Sequence, residues 1–110
     1  MAAPEVKTYF QTFTTDAHGQ IFLTGILNVE AYSKVSLEII QFPHAAVNMT
    51  VSCDMGKLSG ATLAQTVGQF ALGTAAQIHT FEVVGPEFSL ILTGGPPTTD
   101  VPIQAWVFLR

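Results

Sequence analysis

A chain of 110 residues with a formal net charge of −4 falls in the size range of one domain, here taken as residues 1–110, and can bury roughly two thirds of its unfolded surface. Only 11% of its residues are charged, against roughly 25% in an ordinary soluble domain, while 48% are apolar and the mean hydropathy is +0.41. With Lys7, Lys34, Lys57 and Arg110 as its whole basic complement the chain offers no phosphate-binding face, which excludes nucleic acid as a partner, and no apolar window is long enough for a membrane span.

In chain order, eight runs rich in β-branched, aromatic and aliphatic residues are separated by Gly, Pro, Asp or Asn clusters, the pattern of strands and turns. The first two are Val6 to Thr14 and Gln20 to Val29. The third, Lys34 to Phe42, sets Val35, Leu37 and Ile39 on one parity, with Ser36 and Glu38 on the other. The fourth, Val47 to Met55, alternates most cleanly, with Val47, Met49, Val51, Cys53 and Met55 turned to a core. The fifth, Leu63 to Leu72, also fits a helix, because Leu63, Val67 and Phe70 are spaced i, i+4, i+7 and Thr62 with Gln65 would form a capping box. Gly68 and the flanking threonines favour a strand. Gln77 to Val84, Glu87 to Thr93 and Val101 to Leu109 complete the set, and the last carries apolar residues on both parities, Val101 to Leu109 on one and Trp106 with Phe108 on the other. Short strands at this spacing predict an all-β antiparallel sandwich of about eight strands, jelly-roll-like in layout.

No cofactor or metal follows from the residues. His18, His44 and His79 stand apart, and Cys53 lies between apolar neighbours as a small buried hydrophobe. His79 shares parity with Phe81 and Val83, which predicts a packed ring. Ser59, in Leu58-Ser59-Gly60, lacks the Gly-x-Ser-x-Gly setting of a nucleophile, and Gly94-Gly95-Pro96-Pro97 lacks the helix and lysine of a phosphate loop. Glu38, Asp54 and Glu82 are the carboxylates from which an acid–base pair would have to come, and all three alternate away from the apolar rows.

Two places remain for binding. If successive strands run antiparallel, the odd-to-even connections gather at one end and bring Asp16, His18, His44, Thr98, Thr99 and Asp100 to a rim, where loops on a rigid scaffold commonly carry ligand-binding groups. The opposite rim holds Glu30, Tyr32, Lys57, Ser59 and Glu87. The other place is the second face of the last strand, Trp106 and Phe108, which needs cover that the chain does not obviously supply. Twelve charged side chains over about 5,900 Å² leave about one per 500 Å², so apolar surface stays open on a monomer.

The expectation is a non-catalytic, self-associating β-sandwich acting as a structural or binding module, its partner a second copy of itself in a dimer or larger ring. The alternatives are a carbohydrate-binding module, with another protein as a further possible partner, and a small enzyme with an active site at a subunit interface. A single Cys53 and a start, Met1-Ala2-Ala3-Pro4-Glu5, without the basic and apolar regions of a signal peptide favour a cytoplasmic setting.

Overall fold

In the computed structural model, which describes residues 3–57 and 63–110, nine strands form two antiparallel sheets. They are β1 (Glu5–Thr14), β2 (Ile21–Phe22), β3 (Leu27–Asn28), β4 (Lys34–Gln41), β5 (Thr50–Lys57), β6 (Leu63–Ala71), β7 (Gln77–Glu82), β8 (Glu87–Thr93) and β9 (Asp100–Leu109). The first sheet has the order β1-β9-β4-β7, and the second runs β2-β8-β5-β6 with β3 also paired to β8. Apart from the consecutive pair β5 and β6, neighbours in each sheet are distant in sequence, so the chain passes repeatedly between layers, as in a jelly roll. Ser59 and Thr62, weighed above as nucleophile and helix cap, lie outside the described residues.

The core is where the alternation put it. Val35, Leu37 and Ile39 of β4 and Val107 of β9 meet Val51, Cys53 and Leu90 of the second sheet, all 0% exposed. The fifth run is a strand, and Gly68 within it has a packing reason: a Cβ there would run into the Phe81 ring reaching across from β7. Beside it His79 stacks on Phe70, ring centroids 3.8 Å apart, and closes that side of the sandwich.

Two expected runs change shape. Gln20 to Val29 is not one strand but two short ones: the Leu23 N–H still donates to the Leu90 carbonyl at 3.0 Å, and Thr24 to Ile26 then arch away from β8 at Gly25, whose φ is 63°. The break is made good by a side chain. The Leu90 N–H donates to Thr24 Oγ1 at 3.0 Å, where an unbroken strand would have offered a carbonyl. The fourth run begins its ladder only at Thr50, and Val47 is instead held by a glutamine at the end of β4: buried Gln41 accepts from the Val47 N–H at 2.9 Å and donates Nε2 to the Val47 and Leu72 carbonyls at 2.8 and 3.2 Å.

Candidate functional site

The odd-to-even loops do emerge at one end of the sandwich, since Thr14 pairs with Asp100 and Gln41 with Ile103. There the β1–β2 and β8–β9 loops dock on each other. The Thr98 N–H donates to the Asp16 carbonyl at 3.2 Å and the Gly95 N–H to the Gly19 carbonyl at 3.1 Å. A side chain at Gly19, whose φ is 73°, would collide with the Gly95 carbonyl, so the two loops meet backbone to backbone.

The rim's hydrogen-bonded side chains brace the individual loops and the strand ends beside this joint. Asp16 Oδ1 accepts from the His18 and Gln20 N–H groups at 2.8 and 3.0 Å, and those two bonds, the Gln20 one foremost, hold its carboxyl below the usual carboxylate range. Asp100 Oδ1 accepts from the Thr14 hydroxyl at 2.6 Å, and Thr99 Oγ1 donates to the Pro97 carbonyl at 3.0 Å. Thr98 takes a φ of 52°, unusual for a residue other than glycine. Five of the six predicted rim residues thus come together. His44 sits exposed in the 3-10 turn Pro43–Ala45 with its ring tilted on Phe42, and among the described residues no hydrogen bond joins it to the rest. Thr15, which the sequence reading passed over, is the joint's centre: buried, it donates to the Pro96 carbonyl at 2.6 Å and accepts from the Thr99 N–H at 2.8 Å. Its signal was only its place at the end of a strand, which many threonines share.

Trp106 and Phe108 lie on the outer face of the first sheet, half-covered and exposed respectively. Register explains what surrounds them. Phe108 pairs with Val6 and Ser36, Trp106 with Thr8 and Glu38, and Glu38 in turn with Ile78, while Gln104 pairs with Phe10 and Ile40. Because side chains alternate, all of these stand on one side of the sheet. Phe10 reaches diagonally to Trp106 in an edge-to-face contact, ring centroids 4.7 Å apart at 79°. Val6, Phe10 and Ile78 remain 54%, 50% and 69% exposed. These three were not singled out in the sequence; pairing brings them beside Trp106.

Chemistry-bearing groups elsewhere are dispersed. Glu38 and Glu82 stand on the outside of the first sheet and Asp54 on the outside of the second, where it accepts from the Thr66 hydroxyl at 2.8 Å. Burial, with a smaller contribution from the Asp54 charge, pushes the Cys53 thiol up to about 12, which leaves it protonated and unreactive at neutral pH. Among the described residues no group of three His, Cys, Asp or Glu side chains is close enough to hold a metal ion. A cleft of about 260 Å³ opens on the second sheet's outer side where the Thr24–Ile26 arch leaves β8, lined by Phe22, Ile26, Asp54, Ser89 and Ile91.

Architecture and surface together define a jelly-roll β-sandwich with a patch of exposed apolar side chains on the outer face of its first sheet. No known protein family matches the sequence, and no curated protein does. Among solved structures, the chain is similar in fold to a protein of Bacillus endospore appendages, described as a novel family of disulfide-linked pili, with a TM-score of 0.62 at 10% identity over 97% of this chain and 87% of that one. It also aligns, at TM-score 0.48 and 13% identity, with the infectious bursal disease virus VP2 subviral particle, covering 96% of this chain but 32% of that one. A third alignment, to desmodium yellow mottle tymovirus, has a TM-score of 0.39 at 12% identity over 99% of this chain and 89% of that one.

Proposed function

We propose that the protein is a non-catalytic structural subunit that assembles with copies of itself, and that the outer face of the first sheet is where copies meet. One observation carries this reading. Val6, Phe10, Ile78 and Phe108 stay 54%, 50%, 69% and 36% exposed on a single sheet face, while the opposite face of the same sheet already fills the core. Such an apolar face on a domain with so few charges marks a contact surface. The fold shared with a pilus protein supports the reading, as does the separation of Asp54 from Glu38 and Glu82 on opposite outer faces, which gives one chain no opposed carboxylate pair across the two sheets. Cys53 is 0% exposed, so the assembly proposed here is non-covalent.

Burying the remaining half of each of those four side chains contributes about 1 kcal/mol, or about 8 kcal/mol for the eight that two copies bring. That is the size of the association cost, about 4 to 15 kcal/mol. The face alone therefore supports a weak contact. Light scattering coupled to size exclusion, at micromolar concentration and above, is expected to give a multiple of 11.8 kDa that Trp106→Glu returns to a monomer. A wild-type chain that stays at 11.8 kDa at every concentration contradicts the reading.

A further inference from the structure

The four sheet margins are not alike. β2 and β3 are two residues each, and β6 is broken against β5 by a register shift opposite Cys53 and Asp54 and contains Gly68. β7 is six residues long. The two-residue strands and the kinked β6 blunt their edges against pairing, and β7 offers an edge four residues shorter than that of β1. β1 has none of these features: ten residues, EVKTYFQTFT, without Pro, Gly or bulge, in unbroken register with β9 from Glu5↔Leu109 to Thr14↔Asp100. Among the described residues no strand pairs with its far side. Alternate residues of β1 therefore present their backbone N–H and C=O groups outward along the length of the strand.

We infer that β1 pairs edge to edge with β1 of a second copy, antiparallel about a two-fold axis, so that two first sheets join into one. Charge permits it. The strand's charges are Glu5 and Lys7, ion-paired at 3.0 Å, so β1 is neutral in a chain of net charge −4. In any register centred between Thr8 and Phe10, Lys7 is never opposite its own copy; centred on Thr8, exposed Val6 meets exposed Phe10 twice. The outer apolar face also runs without interruption to this margin through Phe10 on Trp106, so joining two edges doubles the width of that face. Backbone pairing supplies what the face lacks, since the face by itself barely offsets the cost of association.

The inference rests on the self-association proposed above, and the test separates the two. Hydrogen exchange of the wild-type chain is followed from about 1 μM to about 1 mM. The outward amides within Glu5–Thr14 are expected to slow at least about tenfold as copies associate, while those of β7 do not change. Gln11→Pro and Thr12→Pro complete it: both side chains are exposed, and neighbouring residues point their N–H groups to opposite sides, so one variant deletes an outward donor and leaves the β9 ladder whole. That variant is expected to fold and to lose the concentration-dependent protection. An assembled protein with no added protection in β1 overturns the edge pairing and leaves the face contact standing. Added protection in β6 or β7 instead of β1 also overturns it. A monomer at all concentrations overturns both readings.

Discussion

At the loop end of the sandwich, polar side chains hold nearby backbone; on the outer face of the first sheet, apolar side chains touch one another, as Phe10 does Trp106, yet stay open to solvent. Thr15 reaches the Pro96 carbonyl of the facing loop, Asp100 the Thr14 hydroxyl of the paired strand and Asp16 two N–H groups of its own loop, at 2.6 to 3.0 Å. The cause is general: loop backbone has no ladder to satisfy its donors and acceptors, so nearby hydroxyls and carboxylates take that role. A sheet face has no such need. Its backbone is already paired, and whatever side chains it carries beyond the core are free to meet a partner. In a domain this small, the richest collection of polar groups is a joint, and the plainer apolar face is the better contact surface.

Substitutions that strike one region and spare the other sharpen the contrast. The largest effect is expected from Phe108→Glu, which places a charge on the apolar face: self-association weakens by at least about 100-fold, about 2.7 kcal/mol, while monomer unfolding by urea shifts by less than about 0.5 kcal/mol. Thr15→Val should do the reverse. It removes a buried hydroxyl that serves two backbone partners in the facing loop, so stability falls by about 0.5 to 1.5 kcal/mol in the same urea measurement and the oligomer mass stays as it was. If Thr15→Val dissociates the assembly at a concentration where it is fully folded, the loop end is part of the contact and the contrast fails.

How far the sequence reached follows the same division. Period-two alternation located the strands because each buried row is local, as in Val51, Cys53 and Met55, and the second apolar parity of β9 pointed to Trp106 and Phe108. The rest depends on partners distant in the chain. Gln41 reads as a polar end to a strand, and only the fold brings the Val47 and Leu72 carbonyls to its amide. The split of Gln20 to Val29 turned on Thr24 finding the Leu90 N–H, 66 residues away. In β1 both parities are bulky, so nothing local told that Val6 and Phe10 face outward; their partners Phe108 and Gln104 in β9 decide it.

A smaller effect comes from acid. Asp16 has its carboxyl lowered by backbone N–H bonds, so it binds a proton less readily folded than unfolded. The stability it contributes is present above the unfolded carboxylate value of about 4 and is lost as pH falls through the lower folded value. A pH series of melting temperatures is expected to show Asp16→Asn converging on wild type at the acid end, with no change in assembly at neutral pH.

Trp106 is the chain's one tryptophan and stands on the proposed contact face, so its own fluorescence reports on the central claim without a label. On raising the concentration through the association range, its emission is expected to shift to the blue and its quenching by iodide to fall, in step with the mass from light scattering. Emission and quenching that stay constant while the mass rises would show copies meeting somewhere other than this face, and would contradict the account.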